Sequence, residues 1–195
     1  MNLSLPQIYL IRHGETEWSH AGRHTSFTDL PLLASGEDQA RGLKSALQPL
    51  DGTQIWSSPR QRAQRTAALA GLGDLLEVIP DLAEWNYGEY EGLTTAEIQA
   101  RRPDWNLFED GCPGGESANE VSDRADRVVA ALRAATGNIL VFSHGHFLRS
   151  LAARWVRWPV TGGRRLLLKT ASISRLSFEH DRPDEPVIAE WNTRR

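Results

Sequence analysis

Short apolar runs alternate along the chain with stretches whose apolar residues recur at helical spacing, from "QIYLI" near the start to "PVIAEW" near the end. "QIYLI" predicts a first strand. Ser35 then opens a helix, with Asp38 three residues on as a weaker form of the capping box, and Ala40, Leu43, Leu47 and Leu50 recur along it. "TQIWSS" predicts a second strand. Ser58-Pro59 follows as a helix start with proline at the first helical position, and Ala63, Ala67 and Ala70 give that helix a small-residue inner face. "LLEVIP" predicts a third strand, stopped by Pro80. "TTAEIQARR" carries a capping box from Thr94 to Glu97. Ser117 and Glu120 form another ahead of a long helix that turns Val121, Ala125, Val128, Val129 and Leu132 inward. "NILVFS" predicts a buried strand running into His144, "FLRSLAARWVRW" the helix after it, and "SISRLSF" and "PVIAEW" two closing strands.

Strands that alternate with helices imply an α/β fold, a three-layer α/β/α sandwich with a mostly parallel central sheet. A chain of 195 residues suits a single domain over residues 1–195. The segment from about 82 to 116 is richer in aromatic residues, glycine and proline, and it breaks the alternation. It predicts a short inserted lid rather than a second domain. There is no internal repeat and no low-complexity tract.

Composition narrows the function classes. A net charge of −3 offers no broad basic field for nucleic acid or a membrane surface, so neither is expected as a partner and any anion site must be local. Cys112 is the only cysteine, which excludes an internal disulfide and suits a reducing, cytoplasmic setting. "MNLSLPQ" lacks the basic segment and long apolar run of a signal peptide. No apolar stretch approaches the roughly 20 residues of a membrane span.

Two strand ends carry the same dipeptide, His13-Gly14 after "LIR" and His144-Gly145 after "VFS". In open α/β sheets ligands sit beyond the carboxyl ends of the strands, and Gly14 and Gly145 allow close backbone approach there. Each histidine alone could be a satisfied polar residue at a strand end; two in matching positions beside Arg12 point to chemistry. His144 and His146 also form an H-x-H pair, but hydrolytic metal sites usually add carboxylates and no Asp or Glu cluster adjoins either histidine. "SSPRQRAQRT" places Arg60, Arg62 and Arg65 at a helix start whose amides and dipole favour an anion. Arg60 and Arg65 read as a solvated basic face. Arg62, one position before the packed Ala63, points toward the sheet's carboxyl edge, and its fork suits phosphate. There is no G-x-x-x-x-G-K-[ST] loop, no G-x-S-x-G elbow, and the residue six after Cys112 is Ala118 rather than the arginine of a cysteine phosphatase. Histidine remains the best nucleophile available.

The blocks "LIRHGETEW", "SSPRQRAQRT", "LAEWNYGEYEG" and "FSHGHFLR" resemble, in order and spacing, the motifs of the histidine phosphatase superfamily, the phosphoglycerate mutase-like group. The resemblance implies that His13 accepts the phosphoryl group, that Arg12, Arg62 and His144 surround the phosphate oxygens, and that Glu84 is the general acid. Gly14 would leave room for the phosphate. Ser19 and the pair Thr25-Ser26 fall where the family lines its pocket, although many members have Asn at the first site and Gly at the last. Tyr87 either bonds substrate or packs. His146 and Arg149 would grip a second phosphate or a sugar hydroxyl, or else supply ordinary helix-start polarity.

No metal or organic cofactor is implied; a mutase would need a bisphosphorylated primer. The short insert and short tail favour hydrolysis over transfer, because they should admit water. The blocks look most similar to a branch with acid phosphatase and sedoheptulose bisphosphatase-like members, so the expected partner is a small phosphorylated substrate, sugar phosphates or bisphosphates first. Alternatives are a phosphoglycerate mutase, a protein phosphatase and a non-catalytic phosphate-binding protein. The seven tryptophans leave a homodimer interface open, although Trp155 and Trp158 could equally be core.

Overall fold

The computed structural model describes residues 5–48 and 52–194. Its first apolar run forms β1 (Ile8–Arg12). A one-turn helix, α1 (Glu17–His20), and a nine-residue helix, α2 (Ala34–Gly42), precede β2 (Gln54–Ser57), α3 (Gln61–Leu69) and β3 (Leu76–Val78). Two short helices, α4 (Thr95–Gln99) and α5 (Leu107–Asp110), lie in the aromatic-rich stretch. The chain then forms α6 (Ala118–Ala134), β4 (Ile139–Ser143), α7 (Gly145–Trp155), β5 (Ile173–Phe178) and β6 (Pro186–Thr193). Thr94 and Ser117 both close the capping boxes the sequence predicts.

One six-stranded sheet runs in the order β3-β2-β4-β1-β5-β6. Its pairs from β3 to β1 are parallel, and β5 and β6 add antiparallel strands beyond β1. β4, in the middle, is buried along its whole length, which is why it reads as an unbroken apolar run. One face packs with α6 and α7 through Val121, Ala125, Leu132, Phe147 and Leu151. The other packs with α3 through Ala63 and Ala67 against Ile55 and Phe142. The register sets Arg12 opposite Ser143, so His13 and His144 leave the sheet side by side. No helix among the described residues is long and apolar enough to cross a membrane.

Two predicted helix starts are corrected. α2 begins at Ala34, after Leu33, with no side-chain cap. The Leu33 amide donates to the Glu15 carbonyl and Ser35 Oγ donates to Glu15 Oε2 at 2.7 Å, so contacts with a distant loop, not Ser35 as a cap, fix the entry. Asp38 instead accepts from Arg41 one turn on. α3 begins at Gln61, beyond Pro59, because its cap comes from elsewhere: the Asp29 carboxylate accepts the Gln61 amide at 3.0 Å. Leu50 lies outside the described residues. α7 ends at Trp155, and Arg157 takes a left-handed turn with φ 61°. Trp155 is fully buried and donates to the Ser177 carbonyl, whereas Trp158 is 48% exposed; Trp155 is core. Val129, expected inward, is half-buried.

Candidate active site

His13 is bound at both ends of its own residue. Its amide donates to the Ser143 carbonyl at 3.0 Å, and its ring Nδ1 lies 2.6 Å from the Gly14 carbonyl oxygen. A carbonyl can only accept, so Nδ1 carries the proton and Nε2 keeps a lone pair. Burial, then the charges of Arg62 and Arg12, hold the imidazole well below its ordinary pKa of 6.5, while the Gly14 bond opposes them. The ring is therefore neutral at neutral pH. The His144 ring stands edge-on to it, with centroids 5.2 Å apart.

His144 has the opposite tautomer. Arg62 Nε donates to its Nδ1 at 3.2 Å, so its proton sits on Nε2, 2.6 Å from Ser58 Oγ. Burial first, then Arg62 and His13, hold this ring well below 6.5 too. Arg62 is fully buried and turns the rest of its fork on the loop after α1. It donates to the carbonyls of Thr25, Ser26 and Thr28 at 3.0, 3.3 and 3.1 Å. Glu91 holds the same loop from the other side, accepting the Ser26 and Thr28 amides. One guanidinium and one carboxylate thus clamp a short loop through its peptide groups.

Gly14 and Gly145 have different reasons from the expected one. A Cβ on Gly14 would meet the Gly36 carbonyl oxygen at 2.3 Å, so the missing side chain admits α2, not a phosphate. A Cβ on Gly145 would meet Arg12 Cζ at 3.2 Å, so this glycine makes room for the guanidinium. Arg12 anchors Nη1 on the Leu168 carbonyl at 2.6 Å, and its buried Nε has no partner among the described residues.

The Glu84 carboxylate, from the turn before Trp85, meets the first turn of α7. Oε2 accepts the His146 amide at 3.0 Å; Oε1 accepts the Phe147 amide at 2.7 Å and the Trp85 amide at 2.9 Å. The His146 and Phe147 amides are among the helix-start amides that lack partners within the helix. The Tyr87 hydroxyl and His146 Nδ1 share a bond of 2.6 Å. Burial raises the Tyr87 phenol well above 10 and holds His146 well below 6.5. Arg149 lies over Phe108, 4.7 Å from the ring centroid, and donates to the Gly163 and Arg164 carbonyls.

The site opens on one cavity of about 190 Å³. Arg12, His13, Ser19, Thr25, Glu84, Tyr87, Gly145, His146 and Arg149 all reach it from the predicted set. Arg62 and His144 are fully buried behind His13 and do not line it. Ser26 is buried as well, its amide bound by Glu91. Among the described residues no group of three His, Cys, Asp or Glu is placed to hold a metal. Among the described residues the wall carries the cations Arg12, Arg23 and Arg149 against the single carboxylate Glu84, an electrostatic balance that favours an anion.

The histidine phosphatase superfamily (branch 1) model matches residues 8–193. The chain belongs to that superfamily. It is 46% identical over 178 residues to an acid phosphatase of Mycobacterium tuberculosis, a match covering 89% of this chain and 87% of that one. It is 37% identical over 183 residues to sedoheptulose 1,7-bisphosphatase of Saccharomyces cerevisiae, covering 77% and 67%. Among solved structures, the Mycobacterium tuberculosis open reading frame Rv3214 superposes with a TM-score of 0.90 at 42% identity, covering 97% of this chain and 98% of that one.

In this histidine phosphatase superfamily member, residues outside the predicted set also reach the cavity. Arg23, His24, Thr95 and Leu168 line the cavity. His24 packs against Tyr87, Trp105 and His146, with centroids 4.7 to 5.7 Å away, and burial lowers it to about 4. Ser58, read as a helix starter, instead meets His144. The signal for Ser58 was available: it follows a buried strand end, where side chains face the site rather than the helix.

Proposed function

We propose that the protein hydrolyses phosphomonoesters of small metabolites, sugar phosphates or bisphosphates first, through a phosphohistidine on His13. The carrying observation is the bond from His13 Nδ1 to the Gly14 carbonyl, which leaves Nε2 of a neutral ring as the nucleophile. Nε2 attacks phosphorus, the ester P–O bond breaks, and the leaving oxygen takes a proton from Glu84. A water that returns its proton to Glu84 then attacks phosphorus; the P–N bond breaks and inorganic phosphate leaves. Arg12, together with the fixed charge of Arg62 behind the histidines, stabilises the charge spread over the transferring oxygens. No step calls on a metal.

The 82–116 segment serves as the lid, and His146 and Arg149 face the non-reacting end of the substrate. The kinship to the yeast sedoheptulose bisphosphatase supports a second phosphate at that end. Protein quenched in alkaline detergent after turnover of labelled substrate, with chelator present, should carry phosphate on His13 that is stable to base and lost in acid, and His13→Ala should release no phosphate while keeping its fold. Turnover by folded His13→Ala would remove His13 as nucleophile. Formation of 2-phosphoglycerate from 3-phosphoglycerate without matching phosphate release would make the protein a mutase.

A further inference from the structure

Glu84 is carried by a turn that opens with a 3-10 segment at Pro80–Leu82 and runs without regular structure into Trp85. A carboxyl that must meet a leaving oxygen needs a backbone that does not wander. In this turn four successive carbonyls, Asp81 to Glu84, are all taken by side-chain donors from outside it. Ser143, at the end of β4, donates to Leu82 at 2.7 Å. Arg124, from α6, takes the other three: Asp81 at 2.9 Å, Ala83 at 2.7 Å and Glu84 at 3.4 Å.

The same guanidinium is bound edge-on by Glu116, Nε to Oε1 at 2.8 Å and Nη2 to Oε2 at 2.7 Å, so all five of its hydrogens have acceptors. Glu116 Oε2 also accepts the Asn86 amide, and the Glu116 carbonyl accepts Trp85 Nε1. Arg124 Cζ lies 4.3 Å from the centroid of Phe147, whose amide holds Glu84 Oε1. One buried cation therefore touches the turn that carries Glu84 and the residue that orients its carboxylate.

We propose that Arg124, locked by Glu116, is a positioning residue that sets the reach of Glu84 toward the leaving oxygen. The proposal rests on Glu84 as the general acid. Neither Arg124 nor Glu116 lines the cavity, so neither acts by binding substrate. A misplacement near 1 Å at a reacting group can cost about 10²-fold in rate, and general acid catalysis supplies about 10²–10⁴-fold.

The test compares kcat/KM for p-nitrophenyl phosphate, whose leaving group departs without a proton, with kcat/KM for glycerol 3-phosphate, an alkyl ester whose leaving group needs one. Their ratio is independent of how much of a preparation is folded. Arg124→Met places an unbranched apolar side chain beside Phe147, Glu116→Gln keeps the shape of its partner, and Glu84→Gln sets the scale. In Arg124→Met and Glu116→Gln the alkyl ester should fall about 10- to 100-fold while the aryl ester stays within about threefold, in the same sense as Glu84→Gln. Arg127→Met, which loses only an exposed pair to the Asp81 carboxylate, should leave the ratio unchanged. Equal loss on both esters in the two clamp variants, with Glu84→Gln still discriminating, would overturn the positioning role alone. Equal loss in Glu84→Gln itself would remove the general acid and the clamp's purpose with it.

Discussion

Gly14 and Gly36 meet backbone to backbone. A Cβ on the first would lie 2.3 Å from the carbonyl oxygen of the second, and a Cβ on Gly36 would lie 2.1 Å from the Glu15 carbonyl oxygen. Real carbon–oxygen contacts do not close that far, so α2 reaches the loop after β1 only because both side chains are missing. That loop carries His13, and the Gly14 amide is tied down by Thr66 Oγ1 of α3 at 3.0 Å. The strand end that carries His13 is thus wedged between two helices.

Gly36→Ala should push the helix off this loop. Overpacking of this kind costs about 1–3 kcal/mol, which in a chain of this length lowers the melting temperature by about 2–4 °C per kcal/mol. The loss should extend to kcat if His13, which the displaced loop follows, is the nucleophile proposed above. Gly42→Ala in the same helix meets nothing within 4 Å among the described residues and should be neutral or stabilising. Thermal unfolding of the pair gives the answer; equal effects would mean that α2 tolerates the shift.

Arg62 should not be replaceable by lysine. Its charge would survive, but one ammonium cannot donate to His144 and to three carbonyls of the 25–28 loop at once. Arg62→Lys should lose about 2–4 kcal/mol of stability, as expected when a buried hydrogen-bonded charge loses its geometry. The Ser26 and Thr28 amides, bonded to Glu91, should exchange hydrogen faster than those of β4. Unchanged protection at those two amides would mean that Glu91 alone holds the loop.

The alternation of strands and helices was legible because a parallel sheet covered on both faces buries its strands outright, and "NILVFS" can be little else. The two His-Gly strand ends were legible for the same reason: they interrupt apolar runs. What stayed hidden depends on partners remote in sequence. Asp29 caps α3 from a loop, so Ser58-Pro59 misled; Glu15 takes Ser35, so α2 starts without it. His24 reaches the cavity only because Tyr87 and Trp105 fold over it. Arg124 left a trace that could have been read. It stands three residues after Val121 and four before Val128, a charge on the inward stripe of α6, and such a charge needs a partner.

Acid should destabilise the fold before the carboxylates titrate. Burial lowers His24 to about 4 and holds His13, His144 and His146 well below 6.5. Below 6.5 the unfolded chain takes up protons that the folded chain refuses, so this stability is complete above 6.5 and is lost as pH falls. Each such histidine accounts for about 1 kcal/mol between pH 6.5 and about pH 5.5. Urea midpoints measured across that interval should drop, and His24→Phe, which fills the same aromatic nest, should reduce the drop by one histidine's share. A midpoint independent of pH would mean that these rings protonate in place.

Arg149 should decide between substrates with one phosphate and with two. Its Nε and one Nη2 hydrogen are taken by the carbonyls of Gly163 and Arg164, which fix the guanidinium over Phe108 at the cavity wall. Nη1 donates to nothing among the described residues and is available to a ligand. A charged hydrogen bond of this kind is worth about 1.5–3 kcal/mol, and about 1.4 kcal/mol is tenfold in binding. Arg149→Met keeps the contact with Phe108 through a flexible thioether, so the wall should survive. The variant should raise KM for a sugar bisphosphate about tenfold or more while leaving kcat for a sugar monophosphate within about threefold. An equal rise in KM for both would mean that Arg149 addresses the reacting phosphate, and the second phosphate would have to be sought at Arg23.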